Sequence, residues 1–247
     1  MDGKFKTGTA ALVIGASGGI GAAVLTRMLA DHSIERVFAV SRQAKNASAD
    51  DARLHWLQCD HSDEAIATAV KTITEEGVAL GRVVIATGTL HSATHQPEKA
   101  IDRIERAALE EVLSINTVLP TLWLSALTPL LRKSPGVVVA VLSARVGSIG
   151  DNQLGGWYSY RASKAALNMI LKSAAIELAR RAPNVKLIAF HPGTTDTPLS
   201  EPFQARVAPE KLFTPEFVAE KLHALMATTC ADGKLDYLDW AGKPVSW

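Results

Sequence analysis

Cysteine is scarce: Cys59 and Cys230 are the two in 247 residues, and they lie far apart in the chain. One bridge is arithmetically possible. The pair is not the dense framework of a small secreted domain, and neither residue belongs to a CxxC or Cys/His cluster that would hold structural zinc. Two buried or half-buried free thiols in a reducing compartment are expected, and no metal site. Neither sign of charge dominates, with 26 basic against 25 acidic side chains and a net charge of +1. Nothing therefore draws the chain as a whole to nucleic acid or to an anionic membrane. Basic stripes interleaved with aromatics are also missing. No apolar run approaches the roughly 20 residues that cross a bilayer. The first apolar stretch, residues 10–14, is too short for a signal-peptide core and leads straight into a glycine-rich loop. A cytoplasmic location is expected. Internal repeats, low-complexity tracts and linker-like breaks are absent too, so residues 1–247 read as one domain, long for one but ordinary for an α/β unit.

What is present is alternation. Apolar runs of strand length occur at residues 10–15, 36–41, 53–58, 82–86, 137–143, 186–191 and 235–240. They are rich in Val, Ile, Leu and Ala and barely alternate with polar residues, the pattern of strands covered on both faces of a parallel sheet. Helical patterns fall between them at 20–30, 63–75, 100–114, 120–132, 158–181 and 215–228. Pro183 closes the longest. The expected fold class is α/β: a single-domain, Rossmann-type, doubly wound parallel sheet of about seven strands with helices on both faces. Residues 43–52 read as a polar surface loop or short helix. The stretch 193–208 has little period, and a loop of that length in a compact α/β unit is more often functional than idle.

The first strand ends in Val13-Ile14-Gly15-Ala16-Ser17-Gly18-Gly19-Ile20-Gly21, with Gly15, Gly19 and Gly21 in a GxxxGxG pattern. Glycines let the backbone turn tightly and approach a pyrophosphate, and the helix start that follows offers unpaired N–H groups to the anion. The position between a strand and a helix is what gives the string its meaning. The second strand ends at Ser41-Arg42 with no acidic residue to accept hydrogen bonds from a ribose 2′-hydroxyl. Ser41 and Arg42 suit a 2′-phosphate instead, which favours NADP(H) over NAD(H). Asp60, with His61 beside it, follows the third strand as a candidate partner for the adenine end; an ordinary helix cap is the plainer account of Asp60.

Tyr160 and Lys164 are four residues apart, so a helix puts them on one face. A free phenol, with a pKa of about 10, is a poor base at neutral pH. A neighbouring ammonium favours the phenolate and is expected to lower that value, letting the phenol give or take a proton. Tyr158 has Ala162 at the same spacing and lacks such a partner.

Taken together, the Gly15–Gly21 loop, Ala86-Thr87-Gly88, Asn116, Ser143, Tyr160/Lys164 and Pro192-Gly193-Thr194-Thr195-Asp196-Thr197 resemble the short-chain dehydrogenase/reductase (SDR) family over essentially the whole chain. The Ser143–Ile149 string and the C-terminal residues look like its C-factor-like branch. The resemblance implies an oxidoreductase acting on a small-molecule carbonyl or alcohol with NAD(P). Tyr160 would be the general acid/base. Lys164 would hold the nicotinamide ribose, a serine the substrate oxygen, and Asn116 a water linked to Lys164. Residues Pro192, Gly193, Thr195 and Thr197 would border the nicotinamide, with a mobile lid beyond. The resemblance also implies a dimer or tetramer, and its C-factor relatives raise the alternative of a cofactor-binding signalling protein with little turnover.

Two departures stand out. The family's Asn-Asn-Ala-Gly string reads Ile85-Ala86-Thr87-Gly88 here, so both asparagines are missing and Thr87 is a candidate replacement. The catalytic serine of the family stands three residues before a glycine; counting back from Gly147 gives Ala144, with Ser143 one residue earlier. A one-residue slip on a strand reverses the face a side chain takes. Ser143, Ser148 or no serine then fills the role, with Ser143 preferred. His91 is a candidate for the cleft or for plain structure, and Trp157, Leu199 and Phe203 for an apolar pocket or the core.

Overall fold

The computed structural model describes residues 8–44 and 51–247. Its strands are β1 (Ala10–Ile14), β2 (Arg36–Ser41), β3 (Leu54–Gln58), β4 (Leu80–Ile85), β5 (Val137–Leu142), β6 (Val185–His191), the two-residue β7 (Thr194–Thr195) and β8 (Leu212–Phe213), and β9 (Leu235–Asp239). Seven of them form one parallel sheet in the order β3-β2-β1-β4-β5-β6-β9, and β7 pairs with β8 apart from it. Every residue of β1 and β5 is buried. Such strands must be apolar on both faces, and that is why the sequence shows runs rather than alternation.

Successive residues feed two cores. On one face Leu12, Phe38, Val83 and Val139 pack with Ile73, Trp123, Leu127 and Leu171. On the other Val13, Val37, Val84 and Ala140 pack with Val24, Met28, Leu222 and Met226. The covering helices are α1 (Gly19–Leu29), α2 (Asp63–Glu75), α3 (Arg106–Leu113), α4 (Leu119–Leu131), α5 (Tyr158–Arg181) and α6 (Pro215–Thr228). Ser62 caps α2 by accepting from Ala65 N–H, and Thr214 caps α6 by accepting from Phe217 N–H. The chain winds outward from β1 through β2 to β3, then returns to the other side of β1 with β4. A crevice opens beyond the carboxyl ends of strands at such a reversal.

Several boundaries differ from the sequence expectation. The helix expected at 100–114 is a 3₁₀ turn, Ile101–Arg103, then extended backbone at Ile104, then α3. Ile101 is exposed, so its apolar spacing has no core to face and cannot hold a longer helix. Residues Ser114–Val118 form a π-turn that joins α3 to α4. The resulting run, Arg106–Leu131, is long and apolar enough to cross a membrane by length and composition, although no single expected helix was. Its Trp123, Leu127 and Leu131 lie in the core beneath the sheet. The loop 193–208 holds β7 and a 3₁₀ helix, Glu201–Arg206. Most of the loop expected at 43–52 lies outside the described residues. Cys59 is buried as expected, whereas Cys230 is exposed, and both are free.

Candidate active site and cofactor cleft

The loop after β1 turns at Gly15, whose φ of +84° suits glycine, and brings the start of α1 against it. A Cβ on Gly21 would stand 2.1 Å from the Gly15 carbonyl oxygen. The first turn of α1 has no side-chain cap and no acidic residue. Its N–H groups therefore face the crevice with their partial positive charge available to an anion. The loop fits a dinucleotide pyrophosphate on these grounds.

From this point a cleft runs across the carboxyl edge of the sheet. One end, about 580 Å³, is lined by Gly15, Ser17, Gly18, Ser41, Arg42, Asp60, His61, Ala86, Thr87 and Gly88. The Ser41 hydroxyl donates to Ser17 Oγ at 2.7 Å and accepts from Gln43 N–H, which joins the ends of β1 and β2. Asp60 accepts from Ser62 N–H, a local turn contact that holds its carboxyl below the usual range. His61 takes a left-handed φ of +70°, rare for a side-chain-bearing residue, and accepts from Trp123 Nε1 at 3.2 Å. Thr87 Oγ1 is buried without a partner, so its proposed substitution for a lost asparagine contact is not made within the protein.

The cleft continues over Gly18, Gly19, Ile20, Gly21, Ala86–Gly88, Tyr160, Lys164, Pro192 and Thr197. It ends in a chamber of about 260 Å³ lined by Ser143, Ala144, Arg145, Val146, Trp157, Tyr160, His191, Gly193, Thr195, Leu199 and Phe203 among others. Every residue singled out for the cofactor thus borders one continuous cleft, and Tyr160 stands where its inner parts meet.

Tyr160 and Lys164 share a face of α5. Lys164 is 3% exposed, donates to the Leu142 carbonyl at 2.8 Å, and lies 5.9 Å from the centre of the Tyr160 ring. Gly147 makes this approach possible, since a Cβ there would sit 2.8 Å from the Lys164 backbone. The expected lowering of the phenol pKa is not met. Burial pushes Tyr160 above its ordinary value, and burial draws Lys164 down to about 8. Lys164 turns to a carbonyl rather than to the phenolic oxygen, so burial outweighs its charge. A phenol held this way keeps its proton at neutral pH and is set to donate it.

Asn116 lies behind the cleft wall, fully buried in the π-turn. Its amide accepts from Thr89 N–H at 2.7 Å and donates to the Thr89 carbonyl and to Ser163 Oγ. It thereby braces the segment after β4 against α5. Gly88 keeps the space in front clear, since a Cβ there would lie 3.4 Å from Asn116 Oδ1 and 3.7 Å from Lys164 Nζ.

The two candidate serines part company. Ser148 is buried away from the chamber and accepts from Asp151 N–H. Ser143 lines the chamber, but its hydroxyl donates to Asn168 Oδ1 at 2.6 Å. His91 Nε2–H donates to the Pro198 carbonyl oxygen at 3.1 Å. Phe203 stacks edge-on between His91 and Trp157, at 5.8 and 5.1 Å, and Trp157 meets Tyr160 at 6.2 Å.

Four further residues shape the site; of these only Trp157 was a candidate from the sequence. Glu98 accepts from Ser159 N–H and from the Ser159 hydroxyl, and so caps the start of α5. Trp157, at the cap position with φ of +53°, supplies no side-chain cap itself. His191 lines the chamber, and Asn168 lies buried behind Ser143, accepting from its hydroxyl; only the fold brings them there.

The fold and the cleft define a dinucleotide-binding α/β protein with a Tyr/Lys pair beside the phosphate loop. The chain belongs to the short chain dehydrogenase family, whose profile matches residues 9–208, and is an oxidoreductase by class. It is 29% identical over 211 residues to the 1-hydroxy-2-glutathionyl-2-methyl-3-butene dehydrogenase of Rhodococcus sp. (strain AD45), covering 85% of this chain and 87% of that protein. It is 34% identical over 113 residues to the C-signal of Myxococcus xanthus, covering 46% of this chain and 67% of that protein. Among solved structures, the NADPH-bound carbonyl reductase from chicken fatty liver superposes with a TM-score of 0.84 at 24% identity, covering 97% of this chain and 94% of that one.

Proposed function

We propose that the protein is an NADP(H)-dependent carbonyl reductase or alcohol dehydrogenase in which Tyr160 is the general acid/base. The observation that carries this reading is the meeting of Tyr160 and Lys164 with the glycine loop and with Thr195 and Thr197 in one cleft. The bound nicotinamide supplies or accepts the hydride. Tyr160 delivers the proton to the carbonyl oxygen in reduction or takes it from the alcohol in oxidation. Lys164 holds the ribose hydroxyls and keeps a positive charge near the phenol. Asn116 fixes the β4 exit against α5 and so keeps that pair in place. Leu90, Val146, Trp157, Leu199 and Phe203 give the substrate chamber an apolar wall that keeps water from the reacting carbon.

The preference for NADP(H) is supported by the end of β2. Arg42 lies exposed at the cleft, Ser41 and Ser17 stand beside it, and no carboxylate ends the strand. The similar chicken carbonyl reductase holds NADPH. A homo-oligomer is also proposed, with α4 and α5 as the contact surface, since Leu122, Met169 and Ile176 stand exposed on them. A signalling protein with little turnover is the second reading, favoured by the similarity to C-signal. A phenol and a buried lysine brought together at the cofactor cleft have no use in a sensor and weigh against it.

Titration of the purified chain with NADPH and NADH, followed by a carbonyl panel on wild type and Tyr160→Phe, tests the reading. The expected result is tighter NADPH binding and turnover that falls about 10²- to 10⁴-fold on losing one hydroxyl. Tight binding with no turnover of any ketone or aldehyde selects the signalling reading.

A further inference from the structure

The chamber needs a second donor, opposite Tyr160, to hold a substrate oxygen. The residue three before Gly147 is Ala144, which has no side-chain donor, and its carbonyl already accepts from Tyr237 OH at 2.6 Å. Ser143 commits its proton to Asn168. Ser148 is elsewhere. Arg145 lines the chamber but is tied to Asp151 and Asp239 at 3.3 and 3.2 Å.

His191 remains. It ends β6, beside Ser143 at the carboxyl edge of the sheet: Leu142 pairs with Phe190, and Ser143 N–H donates to the Phe190 carbonyl. On its other side it pairs with Asp239. By strand alternation its side chain takes the face that carries Ala189 and the α5 core, the face on which Ser143 meets Asn168. The ring is half-buried and borders the chamber. On that face of the sheet two buried polar atoms have no partner, His191 Nδ1 and Asn168 Nδ2. Asn168 Nδ2 can only donate, and a neutral imidazole nitrogen without hydrogen can only accept. A hydrogen bond from Asn168 Nδ2 to His191 Nδ1 would satisfy both and would leave the ring proton on Nε2, the nitrogen that is not enclosed. Burial, with Arg145 adding to it, draws the His191 pKa down to about 4, so the ring is neutral at working pH.

We propose that His191 Nε2–H, rather than a serine hydroxyl, holds the substrate oxygen opposite Tyr160, with Asn168 setting the ring tautomer. The proposal rests on the reductase reading above. Two donors then converge on one oxygen: the phenol, which transfers its proton, and the imidazole, which orients the carbonyl and steadies the negative charge that develops on it.

The experiment uses the full chain. Nitrogen-15 NMR of the histidine rings, before any substrate is added, is expected to show His191 neutral with its proton on Nε2; a proton on Nδ1 overturns the proposal whether or not the protein turns over ketones. Kinetics on a reducible ketone then compare four variants at saturating NADPH. His191→Phe is expected to lose about 10²-fold in kcat/KM, with the NADPH Kd within twofold of wild type. His191→Gln, whose amide can reach the Nε2 position, is expected to recover at least tenfold of that loss. Adding Ala144→Ser to His191→Phe is expected to restore part of it by returning a hydroxyl donor. Ser143→Ala is expected to lose less than His191→Phe. A 100-fold loss in Ser143→Ala with His191→Phe near wild type overturns the proposal and returns the role to serine. A wild type that binds NADPH yet reduces nothing overturns the reductase reading instead, and is seen before any variant is compared.

Discussion

Gly21 is where the phosphate loop has least room, and Gly21→Ala turns that into a measurable quantity. The added Cβ would lie 2.1 Å from the Gly15 carbonyl oxygen, 2.9 Å from its carbon and 3.4 Å from Ala86 Cβ. An ordinary carbon contact is about 3.5 Å, so the first turn of α1 must move roughly 1 Å away from the loop. The obstacle is backbone, which cannot swing aside as a side-chain end would. Overpacking costs typically 1–3 kcal/mol, and the upper half of that range applies here. Alanine's better helix propensity returns at most about 1 kcal/mol. The net expectation is a loss of about 1–2 kcal/mol, or roughly 2–8 °C in Tm for a chain of this size. Thermal or urea unfolding measures it. The same shift spoils the pyrophosphate cradle, so NADPH should stabilise the variant less than wild type. Gly18→Ala is the control: its Cβ meets the Gly15 oxygen at 3.5 Å, an ordinary contact, and should cost well under 1 kcal/mol. If Gly21→Ala unfolds within a degree of wild type and binds NADPH equally well, the close approach does not govern the loop.

Three further outcomes are expected. Arg42→Asp should turn the nucleotide preference toward NADH by tenfold or more, read as the ratio of the two Kd values; an unchanged ratio means Arg42 does not meet the 2′-phosphate. Burial alone would raise Asp31, but hydrogen bonds from Ser33 and Arg82 outweigh it and hold the carboxyl well below its usual range. A depressed carboxylate stabilises the fold above its unfolded pKa of about 3.9 and loses that contribution as pH falls through the lower folded value. Asp31→Asn should therefore cost about 1–3 kcal/mol in urea unfolding at pH 7, and the gap should narrow at pH 3. Lys164, drawn down to about 8, loses its charge above that pH. Reduction should fall there, and in Lys164→Met the overall rate should drop and the inflection disappear; an inflection that survives in the variant belongs to another group.

The chain by itself determined whatever depends on neighbours in sequence. Strand and helix order followed from apolar runs and their spacing, because strands buried on both faces must be apolar throughout. The phosphate loop was legible because Gly15 needs a positive φ and Gly21 has no space for a side chain. Tyr160 and Lys164 were legible because four residues make one helical turn. Only the tertiary structure decided how those groups are used. Glu98 reaches Ser159 across 61 residues, a contact with no local signature. The π-turn that buries Asn116 arises where two helical runs join under the sheet. Lys164 was expected to charge its neighbour, but packing aimed it at the Leu142 carbonyl and burial raised the phenol instead. The choice between Ser143 and Ser148, and the commitment of the Ser143 proton to Asn168, rest on which face a strand end presents, a parity that composition leaves open. His191 reaches the chamber because β6 pairs with β5 in one register, and register is set by the packing of the whole sheet.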